Sequence, residues 1–474
     1  MAFLHGIETI VVNRGPINVT TVKTSVIGLV GIAPIGAKNT LTKITTLNQG
    51  IAIFGEQLPG FTIPQALSAI YAQGPATVIV VNVFDNTTHI TSVVDEAKTI
   101  TNGVTTLTNA PVTTPVVTNS AGTTTYVAGT DYTIDAFGNL TVLDFTEIAE
   151  GSGVLITYDH LDATALVDAD FVGVAGPPKT GFKLLEESKP QFGFSPKILI
   201  CPIFGETTAV TTEMISKAEY LRGVCIIDAP STGTMAQALL SRGPSGTWKG
   251  FDSISKSVIL AFPRVSVYDV ATESNQDRPF SQFIAGVMSF VDNTKGYHFS
   301  PSNNVIKGIV GPSLVLTSEI NDTQSDVNQL NELGIVTIFS TFGTGFRVWG
   351  NRNASWPSNT VADNFISVHR TRTIVDESVE QGMLPFVDQP INAALIDSIR
   401  ESVNRFIRTL IGRGALLDGS SCKFIADNNP TVQVAAGQLV FDYELMAPVP
   451  GERLTFQSFL NEGLLTNVIA SVAG

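Results

Sequence analysis

Cysteine and charged residues are both scarce in this sequence. Its 474 residues include three cysteines, and Asp, Glu, Lys and Arg together make up 15%. Because the cysteines lie far apart and are odd in number, they predict buried thiols rather than a disulfide framework or a metal site. They are Cys201, Cys225 and Cys422.

The early apolar run over residues 26–33 is far shorter than the roughly 20 residues of a membrane-spanning helix, so no direct membrane insertion is expected.

Acidic residues outnumber basic ones. The formal net charge is −14, whereas binding to a phosphate backbone needs Lys and Arg concentrated on one face, so no nucleic acid is expected as a partner. Hydrophobic residues make up 43% of the chain, and its mean hydropathy of +0.24 is high for a free-standing monomer of this length. The composition therefore predicts large surfaces that are buried against other chains.

The residue patterns of catalytic and cofactor-binding sites are missing as well. The five histidines are scattered without an HExxH pair, and no G-x-S-x-G motif occurs. The segment after Gly343 lacks the third glycine of a dinucleotide-binding motif, and residues 243–250 lack the spacing of a P-loop. We therefore expect no catalytic residue, no cofactor and no bound metal.

Buried strand patterns alternate with helical patterns in two separate parts of the chain. Apolar runs at residues 26–32 and 77–84 flank a helical pattern at 63–72, and the alternation resumes from about residue 165. This alternation predicts a largely parallel sheet. Residues 86–161 lie between the two parts, are rich in Thr, Val, Asn and Gly, and show short strand patterns separated by turns, which predicts an all-β insertion.

The predicted fold class is α/β plus β: a discontinuous α/β core with an all-β insertion domain, an α+β C-terminal domain and extended N- and C-terminal arms. This division gives six segments. They are an N-terminal linking arm (1–20), the first part of the core (21–85), the insertion (86–161), the second part of the core (162–345), the C-terminal domain (346–450) and a C-terminal strand and arm (451–474).

The two arms are predicted from strand-like runs near the chain ends. Residues 7–12, which include Ile7, Thr9 and Val11, form a β-rich run before a turn, and a second strand-like run contains Leu454 and Phe456. A further strand-like run lies at residues 441–445. A terminal strand without an adjacent partner must pair with a sheet edge in its own chain or in a neighbour.

The clearest amphipathic helix is predicted over residues 389–411. Pro390 falls in its first turn, glycines follow its end, and apolar residues recur at helical spacing on one side. The opposite face carries Asp397, Glu401, Arg405 and Arg408. This face is either a solvated surface supported by the Glu401–Arg405 spacing or a docking face for a charged partner.

Residues 342–353 combine Trp, Phe and Arg with several glycines and contain no nucleophile, general base or metal ligand, which is typical of packing and anchoring. Part of this segment resembles the start of the C-terminal domain in contractile phage tail sheath proteins. The residues concerned are Gly345, Phe346, Arg347, Trp349, Gly350, Asn351 and Arg352. Stretches at 296–304, 326–334, 368–378 and 388–391 resemble the same family in the same order.

The resemblance implies a structural subunit that polymerises helically around a tail tube and contracts to drive the tube through the bacterial envelope. It implies stacked hexameric rings in which terminal arms pair with sheets of neighbouring subunits, while the helix with Asp397, Glu401, Arg405 and Arg408 faces the tube. The implied partners are other copies of the chain, the tail tube protein, and the baseplate and tail terminator proteins. The implied location is the virion tail after assembly in the host cytoplasm.

Three other functions stay open at this point. The same subunit could serve a headless contractile bacteriocin or injection system. An α/β hydrolase could use the insertion to bind substrate, although the sequence lacks a nucleophile–base signature for it. A binding-only adhesin would explain the Thr-rich insertion but not the series of C-terminal motifs.

Overall fold

The computed structural model describes residues 19–243, 245–270, 272–341, 343 and 345–465. It shows a mixed α/β fold with several sheets, the largest of which has eight strands. The predicted N-terminal arm residues Ile7, Thr9 and Val11 lie outside the described residues.

The first part of the chain supplies one side of the large sheet. The predicted buried strands and the helix between them are confirmed, with ends that differ by one or two residues. Pro64 lies in the first turn of that helix, where its missing N–H breaks no hydrogen bond. The elements are β1 (Val26–Gly31), β2 (Leu41–Ile44), α1 (Leu47–Phe54), α2 (Thr62–Gln73) and β3 (Thr77–Asn82).

Residues 90–161 form two separate three-stranded sheets. Within the described part of the chain their strands pair only with one another, in the orders β4-β9-β6 and β5-β8-β7. They share a hydrophobic cluster that includes Tyr132 and Tyr158. The strands are β4 (Ile90–Thr99), β5 (Val104–Thr106), β6 (Val112–Asn119), β7 (Tyr132–Ile134), β8 (Asn139–Val142) and β9 (Gly153–Leu161).

The chain then returns to the large sheet. This part also forms a smaller antiparallel sheet in the order β14-β13-β15. The elements are α3 (Asp168–Val172), α4 (Ser188–Phe192), β10 (Ile198–Ile200), α5 (Thr208–Tyr220), β11 (Val224–Asp228), α6 (Met235–Leu240), β12 (Val258–Ala261), β13 (Val265–Asp269), β14 (Ser274–Arg278), α7 (Ser281–Thr294), β15 (Gly311–Pro312), α8 (Asp326–Glu332), β16 (Ile335–Thr341) and β17 (Gly345–Trp349).

The large sheet has the order β17-β16-β12-β11-β10-β1-β3-β2. Its six inner strands run parallel, and the two edge strands, β2 and β17, run antiparallel to their neighbours. β1 pairs with both β3 and β10, so strands from before and after residues 90–161 meet in the middle of the sheet. Side chains of alternating strand residues pack against helices on both faces, which gives three layers.

The remaining residues form two long helices and a small sheet. Val403, Phe406 and Leu410 pack with Val19 and Val375 in a separate hydrophobic cluster. The elements are α9 (Ile366–Met383), α10 (Ala393–Gly412), β18 (Ser421–Lys423), α11 (Thr431–Ala435) and β19 (Asp442–Glu444).

The predicted start of the amphipathic helix is wrong. α10 begins four residues later than predicted, because the side chain of Asn392 caps it by accepting a hydrogen bond from the Leu395 N–H at 2.8 Å, and Pro390 precedes the helix. Residues 454–456 have no strand partner among the described residues, so their pairing with a neighbouring copy stays a prediction. The strand-like run at 441–445 pairs with β18.

Candidate functional site

β17 lies within the segment of residues 342–353 and forms one edge of the large sheet. It pairs with β16, and the indole ring of Trp349 stacks on Phe339 with ring centroids 4.4 Å apart. The Arg347 guanidinium donates to the backbone oxygen of Asn303 at 3.0 Å. Phe346 packs against the cluster on the α2 side of the sheet. These contacts anchor the strand by packing and hydrogen bonding.

The glycine and asparagine after β17 make a tight turn. Gly350 has φ +139°, and a Cβ atom there would lie 3.0 Å from the Cα of Val336. The Gly350 N–H donates to the Ser302 hydroxyl at 3.1 Å, and the side-chain oxygen of Asn351 accepts from Ser300. The turn therefore fits closely against the end of the neighbouring strand and requires glycine.

Arg352 joins this turn to the C-terminal segment. Its guanidinium lies 4.2 Å from the ring centroid of Trp356 and 3.7 Å from that of Phe365. Its Nε atom donates to Glu452 Oε1 at 3.0 Å. The arginine therefore combines two cation–π contacts with an ion pair that holds down the chain just before Leu454.

The C-terminal segment beyond this ion pair is exposed. Leu454 is 77% exposed and Phe456 is 90% exposed, and both lie in backbone that has no strand partner among the described residues. Further exposed apolar side chains follow at Phe459, Leu460, Leu464 and Leu465. Such a run of exposed apolar side chains marks an interaction segment.

A small sheet near this segment has one closed edge and one open edge. The side chain of Asn404 accepts a hydrogen bond from the Cys422 N–H at 2.8 Å and donates one to the Cys422 carbonyl at 2.9 Å. The backbone groups of Cys422 at the outer edge of β18 are therefore both hydrogen-bonded. Cys422 lies opposite Tyr443, so the N–H and carbonyl of Tyr443 point to the outer edge of β19. Neither group has a hydrogen-bond partner among the described residues.

The charged face predicted for α10 lies at the protein surface. Asp397 forms an ion pair with Arg400 at 2.8 Å, and Glu401 pairs with Arg408. Arg405 is exposed and Glu401 is partly exposed, whereas Val403 and Phe406 face the core. The structure thus brings Asp397, Glu401, Arg405 and Arg408 together on one helix, as the sequence pattern predicts. Ile407 also belongs to the buried face.

α9 contains the groups that the sequence pattern misses. The guanidinium of Arg370 donates to both carboxylate oxygens of Asp292, at 2.9 and 2.6 Å. Glu377 pairs with the buried ammonium group of Lys197. The hydroxyl of Thr371 donates to the Ser367 carbonyl at 2.7 Å, which lets a small polar side chain face the interior. The recurrence of Ile366, Ile374 and Val375 is the apolar signal that could have indicated this helix.

The described residues contain one close pairing of a hydroxyl with an imidazole. Ser257 Oγ lies 3.3 Å from His369 Nε2, and burial lowers the pKa of His369 to about 4. A large open cavity, with a volume of about 740 Å³, lies elsewhere and is lined by Asp168, Glu206 and Trp248 among others. Within the described ranges, no group of three or more His, Cys, Asp or Glu could hold a metal ion, and no helix is long and apolar enough to cross a membrane.

The segment that resembles sheath proteins, residues 345–352, lies within a longer match to known proteins. Residues 180–354 match the family model of the phage tail sheath protein central domain. The chain is 43% identical over 472 residues to the tail sheath protein of Burkholderia phage BcepMu, covering 98% of each chain. It belongs to the phage tail sheath protein family.

Other similar proteins agree with this assignment. A putative prophage major tail sheath protein of Pseudomonas aeruginosa is 30% identical over 298 residues, which cover 63% of this chain and 73% of that one. The fold is also that of the sheath complex, in its contracted state, of an extracellular contractile injection system called PVC, with a TM-score of 0.61, 14% identity and coverage of 98% and 99%. The chain is therefore a tail sheath protein, and its family is a structural one.

Proposed function

We propose that the chain polymerises as a helical sheath of stacked hexameric rings around a tail tube, and that contraction of this sheath drives the tube through the bacterial envelope. The near full-length similarity to a phage sheath protein favours a virion tail, assembled in the host cytoplasm, over a headless device. Baseplate and terminator proteins would meet the two ends of such a polymer.

The observation that carries this proposal is the presence of a donor and an acceptor in one chain. The donor is the exposed segment with Leu454 and Phe456, which has no strand partner among the described residues. The acceptor is the open outer edge of β19. A donor that fits an acceptor on the next copy makes a head-to-tail contact, and such contacts propagate into rings or helical polymers.

Arms of this kind suit a sheath that changes length. Main-chain hydrogen bonds between an arm and a neighbouring sheet can persist while the folded bodies rotate and slide past one another. If the contracted lattice buries more complementary surface, a few kcal/mol per subunit, summed over many copies, suffices without nucleotide hydrolysis. Ile7, Thr9 and Val11 would form the second arm in this scheme.

α10 is the proposed surface for the tube. Besides Asp397 and Glu401, the helix and its C-cap carry four arginines, so this element as a whole is basic within a chain of net charge −14. The arginines are Arg400, Arg405, Arg408 and Arg413. We therefore expect the tube protein to present an acidic face, which would also guide assembly through long-range attraction.

The proposed division into domains rests on the separate hydrophobic clusters and on strand pairing. The sheets of residues 90–161 have their own hydrophobic cluster and would form the insertion, and residues from α9 onward would form the tube-facing domain. Because β17 pairs with β16, we place the end of the core after Trp349.

Electron microscopy of the purified protein tests this function. Negative staining should show hollow striated tubes or rows of discs. A chain truncated after Arg453 should keep the circular dichroism spectrum and melting temperature of the full chain but remain monomeric, because it lacks the donor segment. Monodisperse particles of the full chain at high concentration, or normal tubes from the truncated chain, would contradict the proposal.

A further inference from the structure

The two edges of the β18–β19 sheet differ in a way that matters for assembly. Cys422 and Tyr443 lie directly opposite each other, and their backbone groups point away from each other. On the β18 side these groups bond to Asn404 of α10, whereas on the β19 side they have no partner among the described residues. An amide side chain thus makes the pair of hydrogen bonds that an added strand would make.

We infer that Asn404 makes growth of this sheet one-sided, so that a strand from a second copy can join only along β19. The inference rests on the proposed function, because it concerns the sheet that receives an arm. The Asn404 side chain closes the other edge. A second arm arriving at the same sheet must then pair with the first arm, which fixes the order β18, β19, first arm, second arm.

The side chains of the donor and the acceptor match in polarity on both faces. Phe441, Tyr443 and Leu445 turn toward the cluster that contains Cys422, and Leu454 and Phe456 of the incoming strand would extend this apolar face. The opposite face of β19 carries Asp442 and Glu444. In the incoming strand this face would carry Arg453, Thr455 and Gln457, which places a cation beside two carboxylates.

Disulfide trapping in assembled sheaths tests the side of addition. Ser421 and Glu444 lie opposite each other, so a cysteine at either position reports one edge of the sheet. A second introduced cysteine is placed at Arg453, Thr455 or Gln457 in turn. Adjacent strands bring Cβ atoms within about 5 Å, whereas the strand beyond lies about 10 Å away, too far for a disulfide.

We expect the cysteine of Glu444→Cys to cross-link between copies at one or more of these tail positions, and the cysteine of Ser421→Cys to cross-link at none. With Asn404→Ala, cross-linking at position 421 should appear. In sheaths that still form, either of two results would overturn the inference. One is cross-linking at position 421 with Asn404 in place, and the other is no cross-linking at position 421 after Asn404→Ala. Absence of sheaths from the unsubstituted chain would instead overturn the proposed function.

A matched pair of substitutions at Tyr443 tests the open edge without cysteines. Tyr443→Pro removes the outward N–H, and Tyr443→Ala removes the side chain but keeps this donor. Both variants lose the hydrogen bond from the Tyr443 hydroxyl to Asp376. We expect the alanine variant to form sheaths at least tenfold more efficiently than the proline variant at equal monomer stability. Equal assembly of both variants would show that no strand joins at β19.

Discussion

Arg370 of α9 donates hydrogen bonds from both of its terminal nitrogen atoms to the carboxylate of Asp292 of α7, at 2.9 and 2.6 Å. The two side chains are 3% and 0% exposed. The same guanidinium reaches the backbone oxygen of Thr24, just before β1. This buried ion pair therefore fixes α9 to the layer of helices on the large sheet.

Substitution of Arg370 should strongly destabilise the monomer. Arg370→Met leaves the Asp292 carboxylate buried without a counter-charge, which costs about 3–5 kcal/mol. Urea denaturation of the unassembled protein measures this loss. The control is Arg372→Met on the same helix, where the arginine is largely exposed and a change below about 1 kcal/mol is expected. Similar losses for the two variants would contradict the account.

Gly350 should tolerate no side chain. Gly350→Ala places a Cβ atom 3.0 Å from the Cα of Val336 in left-handed backbone, so we expect a loss of about 1–3 kcal/mol in the free energy of unfolding. Gly412→Ala is the matched control, since nothing lies within 4 Å of its Cβ position and Ala favours the helix. Calorimetric melting of both variants checks the difference, and equal melting temperatures would argue against a constrained turn.

Stability should fall in mild acid because of His369. Burial lowers its pKa from 6.5 to about 4, so between these pH values the unfolded chain binds a proton that the folded chain does not. The folded state is thus penalised progressively as pH falls from about 6.5 to 4. Chemical denaturation across this range should show a shallower pH dependence for His369→Gln than for the original chain, and parallel curves would disprove the assignment.

Arg352 should hold the start of the C-terminal segment in place. Arg352→Ala removes both the ion pair with Glu452 and the stacking on Trp356 and Phe365, so limited proteolysis of residues 447–456 should become faster. Arg352→Lys should restore little of the protection, because an ammonium group lacks the planar fork that stacks and donates twice. Full protection in the lysine variant would mean that charge alone holds the segment.

The charged face of α10 should affect tube binding without affecting folding. Arg405→Glu combined with Arg408→Glu should reduce co-sedimentation with the tube protein at least tenfold at low salt, with an unchanged melting temperature, because both side chains are exposed. The binding of the original chain should weaken as salt rises. Arg372→Glu on α9 makes half of this charge change and serves as a control, and a proportionate effect there would indicate general electrostatics.

The parallel sheet was predictable because its strands, such as β1 and β3, are continuous apolar runs. Such runs are typical of strands in a sheet that is buried on both faces. α9 was not predictable, since its interior positions hold Arg370, Thr371 and Glu377, whose burial depends on partners distant in sequence. The α10 charges were predictable from helical spacing alone. The role of Asn404 was not, because it requires the position of Cys422.

The pairing of Ile27 with Ile198 has a consequence for synthesis of the chain. The ribosome completes β1 and β3 first, then all strands of residues 90–161, and only afterwards β10. The small sheets can fold locally during this interval, while β1 presents an apolar strand edge without its partner. The interval before β10 emerges is therefore when a nascent sheath subunit is most prone to associate with its neighbours on the same messenger RNA.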